Sequence, residues 1–186
     1  MANAGKVIGK GVTIELEGNV YRVDDFQHVK PGKGAAFVKT KLKKIETGQV
    51  VERTFRAGEK VAKAQLDKKE MQYLYKEGND FVMMDMESYE QMNIPATYIG
   101  DGVKYLKENM NVMVLLHDGK IIGVDIPNHV ELTVTDTPPS ERGNTSQGGT
   151  KPATLETGAV VQVPFLVMNG DVIRVDTRTN EYLGRV

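Results

Sequence analysis

The sequence predicts an all-β protein made of three small β-barrel or sandwich modules. Three observations carry that expectation. Apolar and polar residues alternate in short runs such as Val12-Thr-Ile-Glu-Leu16 and Val130-Glu-Leu-Thr-Val-Thr135, the period of a half-buried strand. A glycine-centred figure occurs three times: Gly18, Gly119 and Gly170 are followed two residues on by Val20, Ile121 and Val172, and five residues on by Val23-Asp24, Val124-Asp125 and Val175-Asp176. Beyond one or two turns, no segment holds a 3.6-residue apolar period.

Taken in order, Val12–Leu16 reads as a strand, Glu17-Gly18-Asn19 as a turn and Val20–Val23 as the returning strand. The recurrence at Gly119 and Gly170 is read as two further hairpins, one in each later module. Glycine turns between valine-rich strands also arise by chance, and a repeat this short does not establish duplication. Helix is expected only over Glu87–Met92 and Val103–Asn109, for one or two turns each. Thr137–Thr150 is the longest loop-like stretch, with Pro138, Pro139 and three glycines. It reads either as a linker or, preferably, as a long loop within the third module. The modules are expected at residues 1–64, 65–127 and 128–186. Each is near the lower size limit for independent folding, so packing between modules is expected to matter.

Composition excludes several function classes. The chain has 186 residues and no Cys, hence no disulfide framework, thiol nucleophile or thiolate metal site. No apolar run reaches the ~20 residues of a bilayer span. Met1-Ala-Asn-Ala-Gly-Lys6 leads into no apolar secretory segment, so a cytoplasmic, soluble protein without membrane partners is expected. The overall net charge of −1 hides an asymmetry. Residues 1–64 hold 13 Lys+Arg against 7 Asp+Glu, residues 65–127 hold 6 against 11, and residues 128–186 hold 5 against 7. Contact with phosphates is therefore expected of the first module.

The strongest chemical signal lies there. No carboxylate occurs between Asp25 and Glu46, an interval holding Lys30, Lys33, Lys39, Lys41, Lys43 and Lys44. Pro31-Gly32 suits a type II turn, with Gly32 at the position that needs positive φ. Gly34 adds a second permissive position, which sets Lys33 between two glycines at a hairpin tip. On the outgoing strand Lys39, Lys41 and Lys43 share one face, and Val38, Thr40 and Leu42 the other. Two readings stay open: a solvated hairpin whose lysines aid solubility, or a phosphate-facing arm drawn to nucleic acid by counterion release.

Other chemistry lacks its residues. His28, His117 and His129 have no partner at metal-ligand spacing. Gly32-Lys33-Gly34 is no phosphate loop of the Walker type, and Gly100-Asp101-Gly102 is followed by Tyr105 where a dinucleotide fingerprint needs glycine. Ser88, Ser140 and Ser146 sit in no nucleophile motif. No enzymatic activity, metal or cofactor is expected.

Lys30-Pro-Gly-Lys-Gly-Ala-Ala-Phe37 resembles the first-domain loop of the bacterial elongation factor P family. Lys151-Pro-Ala-Thr-Leu-Glu-Thr-Gly158, continuing through Val161-Gln-Val-Pro164 to Val167 and Gly170, is similar to that family's third-domain signature. Val175–Tyr182 and Tyr73-Leu-Tyr75 with Asp80-Phe81 fit as well, so the resemblance covers nearly the whole chain. It implies an SH3-like or KOW-like first domain and two OB-like domains in an L-shaped arrangement. It implies a monomeric translation factor that binds the 70S ribosome between the P and E sites, against P-site peptidyl-tRNA and rRNA, and relieves stalls at consecutive prolines. Lys33, framed by Lys30, Pro31, Gly32 and Gly34, is then the tip residue that reaches the CCA end and the peptidyl-transferase centre. In many members that residue is extended by a modifying enzyme. Lys39, Lys41 and Lys43 become RNA-backbone contacts. Gly143-Asn144-Thr145 becomes the codon-side loop, with Asn144 where the family carries Asp. Met1–Gly11 matches the family's opening strand poorly. The alternatives are a paralogous elongation-factor-P-like protein and a general RNA-binding module.

Overall fold

The computed structural model describes residues 1–140 and 149–186. Among them sixteen strands account for most of the chain. They are β1 (Ala2–Asn3), β2 (Thr13–Leu16), β3 (Asn19–Val29), β4 (Phe37–Lys44), β5 (Val50–Arg56), β6 (Lys60–Lys63), β7 (Asp67–Glu77), β8 (Asp80–Asp85), β9 (Gln91–Pro95), β10 (Asn111–His117), β11 (Lys120–Asp125), β12 (His129–Asp136), β13 (Thr150–Leu155), β14 (Val160–Pro164), β15 (Val172–Asp176) and β16 (Glu181–Arg185). They form three sheets with orders β1-β6-β2-β3-β4-β5, β11-β10-β7-β8-β9 and β14-β13-β12-β15-β16. The all-β expectation holds.

The chain divides into two compact units: residues 1–69 with 114–124, and residues 70–113 with 125–186. In the first unit, β2 and β3 are joined by Glu17 (φ 52°) and Gly18 (φ 79°). Positive φ at both central residues makes the two-residue turn that matches strand twist. Asp118 (φ 51°) and Gly119 (φ 77°) repeat it between β10 and β11. The core of this unit gathers Ile14, Val23, Val38, Leu42, Phe55 and Val61. The opening segment is ordered by the same core. Ala2 pairs with Val61, and one helical turn, α1 (Ala4–Val7), buries Ala4 and Val7. A second cluster joins Val20 and Ala64 to Leu115 and Ile122. Residues a hundred positions apart thus close one apolar layer.

In the second unit β7, β8 and β9 form a meander in which Met71, Tyr73, Phe81, Met83 and Ile94 are buried. Helix was expected over Glu87–Met92, and the structure corrects this. The Asp85 carboxylate accepts the Glu87 N–H at 2.8 Å and the Ser88 N–H at 3.3 Å, forming a tight turn. Gln91 then starts β9, with Met92 opposite Met83. Pairing to a buried partner outweighs weak local helix preference. Over Val103–Asn109 the helical turn is 3₁₀, spans Gly100–Tyr105 and stops there.

The third sheet holds the other cluster of the second unit, with Leu132, Val134, Leu155, Val163, Ile173 and Val175 at its centre. Its edge strands β14 and β16 approach one another, so the sheet curls toward closure. Tyr105, only 1% exposed, enters this cluster, and its hydroxyl hydrogen-bonds the Asn180 side chain. The glycine figure at Gly170 is not a third hairpin. Gly170 (φ 90°) makes a turn closed by the Asp171 N–H to Met168 O at 3.1 Å. The strand before it, β14, pairs with β13, while β15 pairs with β12 and β16. Strands β12 and β13 pair directly, so both belong to one sheet.

Asp176 organises the β15–β16 turn. Its carboxylate accepts N–H groups of Arg178 at 2.8 Å and Thr179 at 3.3 Å, and the Arg178 guanidinium at 3.1 Å. The Arg178 side chain and backbone hold this carboxyl below its usual 3.8, against the opposing effect of burial.

Two outcomes are expected. Leu42→Ala, at a fully buried site, is expected to destabilise the fold by about 2–5 kcal/mol in urea unfolding. A carboxyl with depressed pKa stabilises the fold above its unfolded value, and the contribution is lost as pH falls through the folded value. Asp176→Asn is therefore expected to lower the urea midpoint near neutral pH and to flatten its fall between about pH 5 and pH 3.

Candidate nucleic-acid interface

The site grows out of β3 and β4, which pair from Tyr21↔Lys44 to Val29↔Phe37. β3 carries a bulge between Val23 and Asp25, where two consecutive aspartates interrupt the alternation. The Asp25 carboxylate accepts the Phe26 N–H at 2.9 Å. Val38 and Leu42 are fully buried and Thr40 is 4% exposed; the Thr40 hydroxyl donates to Arg53 O at 2.6 Å. Lys39, Lys41 and Lys43 are exposed on the opposite face. Phe37 lies on that face too, half-buried, with the Lys39 Nζ 5.9 Å from its ring centroid.

The segment Lys30–Ala36 connects the two strands, and Lys30 through Ala35 are exposed. Lys33 sits in the bend Gly32–Gly34. The expected type II turn at Pro31-Gly32 is corrected: positive φ falls on Gly34, at 110°, and not on Gly32. The positive φ falls two residues later than the Pro-Gly pair suggests. Beside the tip an open groove of about 650 Å³ is lined by Ala35, Ala36, Arg56, Ala57, Gly58 and Glu59. Four of these six residues have side chains no larger than methyl, which leaves one flank of the tip open to an approaching molecule.

The carboxylate-free interval of the sequence is not carboxylate-free in space. Lys41 pairs with Asp25 on β3 and with Glu52 on β5. This juxtaposition depends on register and has no local signal.

Gly143, Asn144 and Thr145 lie outside the described residues. The described residues on either side are held by hydrogen bonds. Thr137 donates its N–H to the Asn169 side chain at 2.7 Å and its hydroxyl to Pro152 O at 2.8 Å. Lys151, 5% exposed, donates its ammonium to Pro138 O at 2.6 Å. Lys151 opens the third-domain signature, and the fold gives it this loop-anchoring role. Among the described residues no group of three or more His, Asp or Glu is placed to hold a metal ion, and no helix is long and apolar enough to cross a membrane.

Residues 6–61 match the family model described as the KOW-like domain of elongation factor P, residues 66–124 its OB domain, and residues 130–185 its C-terminal domain. The chain belongs to the elongation factor P family. It is 61% identical to elongation factor P of Pelotomaculum thermopropionicum over 95% of each chain. It is 60% identical to that of Desulfitobacterium hafniense, over 94% of this chain and 95% of the relative. Among solved structures, eukaryotic translation initiation factor 5A from Methanococcus jannaschii superposes with a TM-score of 0.51 at 23% identity, covering 66% of this chain and 93% of that one. That likeness is one of fold. Membership in the elongation factor P family gives the chain the role of a translation elongation factor.

The tip geometry makes its own prediction. Gly34→Ala, at φ 110°, is expected to cost about 1 kcal/mol. Gly32→Ala, with open space at its Cβ and no positive φ, is expected to stay within about 0.5 kcal/mol of the parent. Urea midpoints of the two variants check the difference.

Proposed function

We propose that this factor binds the ribosome beside P-site peptidyl-tRNA and promotes peptide bond formation at consecutive prolines, with Lys33 reaching the CCA end at the peptidyl-transferase centre. The observation that carries this is the exposed Lys33 held between glycines at the end of a long two-stranded ladder. A buried inner face makes the ladder stiff, and a glycine-flanked tip lets the ammonium enter a narrow space. The exposed face that carries Lys39, Lys41 and Lys43 turns toward RNA backbone. Gly143, Asn144 and Thr145 face the codon side in the same reading.

Proline's fixed φ holds the nascent chain in an unproductive pose, and peptide transfer depends largely on positioning. The factor acts as a positional cofactor: no acid or base is required of it. A hundredfold rescue needs only about 2.7 kcal/mol. One or two charge-assisted hydrogen bonds, each worth about 1.5–3 kcal/mol, supply that. An enzyme that extends Lys33 would lengthen its reach and has open access along the Ala35–Ala57 flank. The aromatics of the hairpin unit form no stacking platform: Phe55 is in the core, Tyr21 and Phe26 pack against it, and Phe37 is a single half-buried ring on the lysine face.

Translation through a Pro-Pro-Pro run in a reconstituted system tests the reading, with protein purified from its own host. The parent is expected to accelerate that run and not a proline-free control. Lys33→Ala is expected to lose the acceleration while keeping its thermal unfolding midpoint. Full rescue by Lys33→Ala overturns the tip assignment. Tight binding to free oligonucleotides without ribosome binding returns the general RNA-binding module.

A further inference from the structure

The ladder register sorts the three strand lysines into unlike rows. Lys39 lies between Gln27 on β3 and Thr54 on β5. Lys41 lies between Asp25 and Glu52, and Lys43 between Arg22 and Val50. The three lysines, Asp25 and Glu52 are all exposed. Directly opposed side chains on neighbouring strands stand about 5 Å apart at Cβ, within reach of a lysine stem. The row around Lys39 therefore sets one cation between neutral residues, the row around Lys43 has no carboxylate directly opposed to it, and the row around Lys41 has one cation against two carboxylates.

We propose that Lys41 serves the sheet and not the RNA: its ammonium offsets Asp25 and Glu52, while Lys39 and Lys43 carry the phosphate contacts of this face. The proposal rests on the RNA-facing reading above. Without Lys41, Asp25 and Glu52 would stand about 10 Å apart on one surface, two strand spacings, with nothing between them to offset their charge. A phosphate that approaches Lys41 meets both carboxylates as directly opposed neighbours, about 5 Å away at Cβ, and the attraction cancels; from Lys39 or Lys43 the same carboxylates stand on the diagonal, about 7–8 Å away. A phosphate that approaches Lys39 meets Gln27 and Thr54, which are neutral. The face thus carries two cationic points, about 13 Å apart along β4, separated by a band that repels RNA. Such a pattern sets where a backbone lies across the face, which a uniform lysine stripe would not.

The test is the affinity for 70S ribosomes carrying P-site tRNA, measured against KCl concentration, with thermal unfolding of each variant as the fold control. Lys39→Gln and Lys43→Gln are each expected to weaken binding about fivefold and to make the salt slope shallower by about 1. Lys41→Gln is expected to change affinity less than about twofold. The double variant Asp25→Asn/Glu52→Gln is expected to bind more tightly, and adding Lys41→Gln to it is expected to cost about fivefold. Equal losses for Lys41→Gln and Lys39→Gln overturn the proposal. So does an equal cost of Lys41→Gln in the parent and in the acid-free background, which would mark a general charge effect. Unchanged affinity and slope in all three lysine variants would instead remove the RNA-facing reading itself, and the proposal with it.

Discussion

The ladder between β3 and β4 is the constraint on which the rest depends. Strand side chains alternate with a period of two, so burying one set of positions fixes the other set outside. Val38 and Leu42 go into the core with Val23 and Phe55. Lys39, Lys41 and Lys43 are then forced onto the opposite face. A slip of one residue would bury the ammonium groups and expose the core set. The cationic face is therefore held by the hydrophobic effect, which acts on its back. The tip is held in the same indirect way. Lys30–Ala36 is placed by the two strands that enter and leave it.

The polar groups that look most chemical in the C-terminal part do structural work. Lys151, Thr137 and Asp176 are buried, and each has a hydrogen-bond partner in the described chain. A buried polar group without a partner is costly, so such residues tolerate little change. That explains a signature that is recognisable in sequence yet contains no reactive constellation. The exposed Lys33, Lys39 and Lys43 have the opposite character. They add little to the fold and are available to a partner.

The cores are small, and non-local contacts complete them. The apolar layer that includes Val20 and Ala64 is closed by Leu115 and Ile122. Tyr105 fills the third-sheet cluster from a 3₁₀ turn. None of these pairs is close in sequence.

The sequence by itself determined the elements whose cause is local. Alternation revealed the strands, Glu17-Gly18 and Asp118-Gly119 revealed two turns, and the hairpin's buried and cationic faces followed from period-two spacing. The family motifs were contiguous and so legible. Tertiary structure decided whatever depends on which strand lies beside which. Gly170 has the local pattern of a hairpin, but β14 finds its partner in β13. Glu87–Met92 has weak helical preference, but Met92 pairs with Met83. Pro31-Gly32 suggests one turn, yet the strand ends place the positive φ at Gly34. Lys41 has no acid in sequence nearer than Glu46, and register sets it between Asp25 and Glu52. In each case the outcome depends on which strands pair and in what register, and a local pattern carries no record of that.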